Sequence, residues 1–157
     1  MNLKIALISF AAAICILMNG HAAAAQEDLK EHRSCNYCGM DRKAYGFSRM
    51  LIHYEDGGAV GVCSLHCAVV EMNANPGRKV KSLFVADRDS RSLIDAEQAV
   101  WVLGGSKRGV MTEQPKWAFQ TRSAADAFIK DFGGTIVGWK EALTAAQEEL
   151  IKATRGS

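Results

Sequence analysis

Two pairs of cysteines, Cys35/Cys38 and Cys63/Cys67, separated by residues 39–62, constrain this chain more than any other feature. Thiolates drawn to one point from two places in a sequence select Cu(I) or Zn(II), and they dictate which backbone turns must meet. The first pair stands in Cys35-Asn36-Tyr37-Cys38-Gly39-Met40. A Cys-x-x-Cys-Gly turn aims two sulfurs inward from a tight loop, with Gly39 free to take a positive φ. The thioether of Met40 suits Cu(I) and is a poor zinc ligand, and it neither titrates nor forms disulfides. In the second pair Ser64 is suited to cap a helix, which places the sulfurs of Cys63 and Cys67 on one face over its first turn. A helix N-terminus also favours the metal-binding thiolate. His66 points off that face and joins the ligand set only if the turn is irregular. Met111, in Gly109-Val110-Met111-Thr112, lacks the periodic apolar neighbours of a core residue and is a candidate second thioether. His32 and His53, in the N-terminal tail and in a strand, are expected at the surface.

Other chemistry competes for these residues. Four cysteines in an exported chain also fit two disulfides, although Cys35/Cys38 and Cys63/Cys67 would close loops too small to restrain much of the unfolded chain. A thioredoxin-like pair requires a helix after the motif, and Asp41-Arg42-Lys43-Ala44-Tyr45-Gly46 is a poor helix start. A closed zinc site of Cys35, Cys38, Cys63 and Cys67, treble-clef-like, is the alternative metal reading and would contribute folding energy to a small chain. No residue is assigned a catalytic role.

Lys4, the apolar stretch Ile5 to Met18 and Ala23-Ala24-Ala25 predict a secretory signal over residues 1–25, cleaved before Gln26. The expected location is the periplasm. Cys15 follows bulky Ile14 inside the apolar stretch, so no lipoprotein anchor is expected. No later run is apolar and long enough to span a bilayer, so no stable membrane insertion is expected after signal removal. Nineteen basic and 17 acidic residues give a net charge of +2 without a basic block, which argues against nucleic acid. Lys107-Arg108, beside Met111, is placed to steer an acidic partner, though a two-residue basic loop is also what solvation alone would produce.

The order of elements repeats. Phe47 to Tyr54 and Ala59 to Cys63 predict two strands around the turn Asp56-Gly57-Gly58, Leu65 to Met72 a helix ending near Asn75-Pro76-Gly77, and Val80 to Ala86 a third strand before the polar turn Asp87 to Ser92. After a short helical turn at Asp95 to Ala99, strands are predicted at Val100 to Leu103 and Trp117 to Gln120. A helix Ala124 to Phe132, capped by Ser123 and stopped by Gly133-Gly134, and a strand Thr135 to Val137 follow. An amphipathic helix, about Lys140 to Lys152, is expected to close the sheet edge. The fold class is therefore α+β: two strand-strand-helix-strand units in tandem, residues 26–92 with the cysteine motif and 93–157 with the Met loop and the terminal helix.

Taken together, Cys35-Asn36-Tyr37-Cys38-Gly39-Met40, Val62-Cys63-Ser64, Leu93-Ile94-Asp95-Ala96-Glu97-Gln98-Ala99 leading to Gly105-Ser106, Gly109 and Met111, and Ala125-Asp126-Ala127-Phe128 with Gly133-Gly134 resemble the NosL family of nitrous oxide reductase accessory proteins. The resemblance implies an exported Cu(I) metallochaperone of denitrification with a fold related to organomercurial lyase. Its partners would be copper-enzyme assembly proteins or the recipient copper enzyme, which the resemblance implies to be nitrous oxide reductase. It implies Cys38, Met40 and Met111 as copper ligands, with Cys35 beside them. Cys67 with His66 departs from the family pattern and extends the Cys63 position into a Cys-x-x-x-Cys pair, suited to a second site or to zinc.

Overall fold

The computed structural model describes residues 27–155. The expected signal, 1–25 with Cys15, lies outside the described residues. Among the described residues no helix is long and apolar enough to cross a membrane.

A single helical turn, α1 (Asp28–Glu31), precedes the first sheet. Strands β1 (Met50–Tyr54) and β2 (Ala59–Val62) form a hairpin, helix α2 (Leu65–Ala74) follows, and β3 (Val80–Ala86) returns beside β1. A fourth strand, β4 (Leu93–Asp95), pairs with β3, giving the antiparallel order β2-β1-β3-β4. The second sheet consists of β5 (Val100–Leu103), β6 (Lys116–Phe119) and β7 (Thr135–Val137), ordered β6-β5-β7, with α3 (Arg122–Phe132) between β6 and β7. In both sheets the first strand of the unit lies between the second and third, so the strand-strand-helix-strand order repeats in space as well as in sequence. Helix α4 (Trp139–Arg155) completes the chain.

Three details differ from expectation. Leu93–Asp95 is a strand of the first sheet, paired Phe84 to Asp95 through Ala86 to Leu93, and it leads into the expected turn at Asp95 to Ala99, which the Ala99 N–H closes on the Asp95 carbonyl at 3.0 Å. Three residues are too few for alternation to mark a strand. Helix α3 is capped by Thr121, extended in backbone, whose hydroxyl accepts from the Ala124 N–H at 3.3 Å; Ser123 lies inside the first turn. Helix α4 closes no sheet edge. It packs on α2 and on β5, the central strand of its sheet, burying Ala142 and Ala146 in the core shared by both units.

The principal core holds Met50, Ile52, Tyr54, Val62 and Val85 of the first sheet together with Trp101 and Ala118 of the second. Trp101 donates its indole N–H to the Ala96 carbonyl at 2.8 Å and lies 5.7 Å, centroid to centroid, from Trp139. A smaller cluster of Val102, Trp117, Phe119, Ala125 and Phe128 packs α3 on the second sheet.

A charged cluster is buried under the first sheet. Arg42 and Arg49 are fully buried, and both grip Asp28: Arg42 Nη2 at 2.8 Å from Oδ2, and Arg49 Nε and Nη2 at 2.9 and 3.0 Å from Oδ2 and Oδ1. Arg42 also donates to the carbonyls of His32, Val62 (3.1 Å) and Met50 (2.8 Å), and Arg49 to those of Gly46 (2.9 Å) and Arg91 (2.7 Å). Gly61 leaves the room for this: a Cβ there would sit 2.7 Å from Arg42 Cζ and 2.5 Å from His32 Cβ. Burial alone would raise the Asp28 pKa, but hydrogen bonds from Arg49 and the charges of Arg49 and Arg42 outweigh it and hold the carboxyl below its ordinary value of 3.8.

Removing one partner of a buried ion pair leaves an uncompensated charge, so Asp28→Asn is expected to lower stability by about 3 to 5 kcal/mol in urea unfolding near neutral pH. The stabilisation from a lowered carboxyl pKa is complete above the unfolded value and is lost as pH falls through the folded one. The wild-type protein therefore loses stability below about pH 4 along a limb that Asp28→Asn flattens. A variant within about 1 kcal/mol of wild type, with the same acid limb, would contradict this role.

Candidate metal centre

The first pair of sulfurs is delivered by a self-closed loop. The Gly39 N–H donates to the Cys35 carbonyl at 2.9 Å and the Cys35 N–H to the Met40 carbonyl at 2.8 Å, with Gly39 at φ 76° in the left-handed region glycine tolerates. Ser34 and Asp41 form a bridge across its base, and the Asp41 carboxylate accepts from the N–H groups of Lys43 and Ala44, turning the chain away. Two contacts aim the loop at the second pair. The Asn36 N–H donates to the Gly61 carbonyl at 2.9 Å, and its side-chain amide to Glu71 Oε2 of α2 at 3.1 Å.

The second pair comes from the junction of β2 and α2. Ser64 caps α2, its hydroxyl accepting from the Cys67 N–H at 3.4 Å. Ser48 Oγ donates to the Cys63 carbonyl at 2.8 Å, and Arg42 holds the preceding Val62 carbonyl.

These two constructions bring all four sulfurs within 4.8 Å of one another. Cys38 Sγ lies 3.5 Å from Cys63 Sγ and 3.9 Å from Cys67 Sγ, and Cys63 Sγ lies 3.6 Å from Cys67 Sγ. All four are free thiols. Metal–sulfur bonds of about 2.3 Å place ligand sulfurs roughly 3.8 Å apart in a tetrahedron and roughly 4.0 Å apart in a trigonal plane, so the spacing fits one ion in either geometry. Cys35, Cys63 and Cys67 are 3%, 0% and 0% exposed, while Cys38 is half-buried. The cage therefore has one accessible corner. Met40 packs, partly buried, against the same core cluster.

The electrostatics favour one thiolate held among thiols. The neighbouring thiols of Cys63 and Cys67 hold Cys35 well below the ordinary thiol range, and Cys35 and the Arg42 guanidinium attract each other. Beside that sulfur, Cys63 is pushed up to about 12 and Cys67 is pushed up too. Two buried guanidinium groups facing one carboxylate leave a positive charge beside the cage, which is the environment a sulfur anion requires.

His66 is not in the four-sulfur group. It lines a separate cavity of about 470 Å³ with Met111, Thr112, Glu113, Glu149, Lys152 and Ala153, its Nδ1 buried without a hydrogen-bond partner among the described residues. Burial lowers its pKa, with Lys116 adding to that effect and Glu149 opposing it. Met111 is 38% exposed and at φ 55°. Glu149 pins its loop, accepting from Thr112 Oγ1 at 2.6 Å, from Lys116 Nζ at 2.7 Å and from the Glu113 N–H. Sequence reasoning missed Glu149, whose only signal is an acid on α4 opposite a basic strand end.

The NosL family profile matches residues 26–146, most of the chain and all of the sulfur cage. The chain belongs to the NosL family. Among solved structures it is similar to the copper chaperone NosL from Shewanella denitrificans, at 22% sequence identity and a TM-score of 0.54, over 69% of this chain and 87% of that one. No curated protein matches the chain by sequence. The NosL fold is thus present, and its cysteine cluster can hold a metal ion.

Exposure sets the order of thiol reactivity in this NosL-family chain. Brief iodoacetamide treatment of the folded, reduced, metal-free protein is expected to label Cys38 first among the four, located by peptide mass spectrometry. Equal labelling of all four under native conditions would show that the cage is not preformed.

Proposed function

We propose that this chain is a periplasmic Cu(I) carrier that delivers copper for assembly of a copper enzyme, with nitrous oxide reductase as the recipient. The observation that carries the reading is the preformed sulfur cage with a single accessible corner at Cys38. Transfer between proteins proceeds by ligand exchange, so an incoming thiolate or thioether must reach the metal before the outgoing ligands leave. A half-exposed Cys38 beside Met40 supplies such an edge, while buried Cys35, Cys63 and Cys67 retain the ion. No substrate bond is made or broken, and no catalytic residue is needed. Family membership and the similarity to a copper chaperone support the metal and the task. The secretory signal expected over residues 1–25 supports the compartment.

The second reading is structural zinc. Four thiols at tetrahedral spacing, three of them buried, favour it. The two readings differ in metal preference and in the use of Met40. In anaerobic competition titrations of the reduced, metal-free protein against chromophoric chelators, Cu(I) is expected to be held in preference to Zn(II). Met40→Leu, which conserves volume, is expected to weaken Cu(I) binding roughly tenfold or more. Zinc preference that needs all four cysteines and is blind to Met40→Leu, with chelator-induced unfolding, would establish the structural site instead.

A further inference from the structure

The geometry points to a second functional surface: a preorganised basic pocket that docks an acidic segment of a partner protein. A cavity of about 600 Å³ is lined by Arg88, Arg91, Lys107 and Arg108 around Phe47 and Trp117, with Asp89 at its edge. Its cations come from two separate loops, each pinned to the fold.

The turn Asp87–Ser92 carries Arg88 and Arg91. Asp87 is buried and anchors it: Oδ2 accepts from the N–H and hydroxyl of Ser90 at 2.8 and 2.7 Å, and Oδ1 from the Gln120 N–H at 2.8 Å. The Arg88 N–H donates to the Ala118 carbonyl of β6 at 2.9 Å, and Arg49 holds the Arg91 carbonyl from below. Arg91 sits at φ 59°, a conformation that needs such over-determination in a residue with a side chain.

The loop after β5 carries Lys107 and Arg108. The Ser106 N–H donates to the Phe132 carbonyl at the end of α3 at 2.7 Å. Gly105 passes so close to that carbonyl that a Cβ would meet it at 2.7 Å. Lys107 Nζ lies 4.7 Å over the Phe132 ring.

Charge is left over. Arg88 pairs with Asp89, but among the described residues Arg91, Lys107 and Arg108 make no ion pair. Three unpaired cations carried on two backbone-anchored loops, with one internal carboxylate, form a surface suited to anions. The aromatic pair gives it an apolar wall: Phe47 stacks on Trp117 with centroids 5.8 Å apart, and the 2% exposed Trp117 has an indole N–H with no partner among the described residues. Carboxylates next to an apolar side chain match that lining. The patch is too local for a nucleic-acid track in a chain of net charge +2. Phe47 is half-buried and Trp117 buried, so neither can act as a wedge into a bilayer. Phe47 follows the Cys35–Met40 loop by only seven residues in the chain. That the docked partner receives copper rests on the proposed function; the docking itself does not.

The test is fluorescence anisotropy with a labelled peptide of Glu and Asp residues around one Phe, its Gln/Asn counterpart, and phosphatidylglycerol vesicles as a third arm. Salt-sensitive binding of the acidic peptide is expected. Arg91→Gln/Arg108→Gln should weaken it roughly tenfold, while Lys79→Gln/Lys81→Gln, an equal charge change on another surface, should not. Arg108→Gln alone, in an exposed loop, should weaken it roughly threefold and decides the matter if the double variant does not fold. Equal losses in both double variants, equal binding of the neutral peptide, or stronger capture by the vesicles would overturn the proposal. Cu(I) affinity of the same variants should stay at the wild-type value, so failure of docking is told apart from failure of the copper reading.

Discussion

Everything in the first unit hangs on Asp28 lying between two buried arginines. Neither guanidinium reaches solvent, and together they tie α1, the strand ends at Met50 and Val62, the Gly46 turn and the Arg91 turn to one carboxylate. Such a cluster adds little net stability against a well-packed apolar equivalent, because desolvating three charges costs several kcal/mol for each ion. What it contributes is position. Arg42 fixes the carbonyl before Cys63 and the chain entering the Cys35 loop, so both halves of the sulfur cage are registered against one rigid group. The residual positive charge beside the cage then favours a thiolate without an external cation.

The same cluster joins the two surfaces. Arg49 reaches from Asp28 to the Arg91 carbonyl, and Phe47 stacks on Trp117. Residues 35–49 therefore contribute to both surfaces, supplying Cys35 and Cys38 to the metal cage and Phe47 to the wall of the basic pocket. The shared core of Met50, Val62, Trp101 and Ala142 makes the two sheets one packing unit despite their separate hydrogen-bond ladders. Helix α4 supplies the seam by lying on α2 and the central strand β5, and its Glu149 fixes the Met111 loop over His66.

Much of this was legible in the sequence, for physical reasons. Strand and helix positions followed from β-branched runs, the Asp56-Gly57-Gly58 turn, the Ser64 cap and the Gly133-Gly134 stop, all local signals that tertiary contacts then reinforced. The convergence of Cys35, Cys38, Cys63 and Cys67 was legible because soft ligands in paired spacing have few other uses. Strand β4 was not, being too short for periodicity, nor was the burial of Asp28, Arg42 and Arg49. Charged residues far apart in sequence look like solvated surface until the fold brings them together. Arg88 and Arg91 were hidden similarly: Lys107-Arg108 alone suggests little, and only the structure adds a second basic loop across an aromatic floor. His66 and Met111, considered separately as ligands, line one cavity, a neighbourhood that their separation in sequence does not announce.

The central claim is that a preformed sulfur cage, open at Cys38, binds Cu(I) in low coordination so that the ion can leave. Copper K-edge X-ray absorption of the Cu(I)-loaded protein tests it most directly. Two or three sulfurs at about 2.2 to 2.3 Å are expected around the copper, with no nitrogen or oxygen bound to it. A shell dominated by nitrogen or oxygen, or a closed set of four sulfurs, would contradict it.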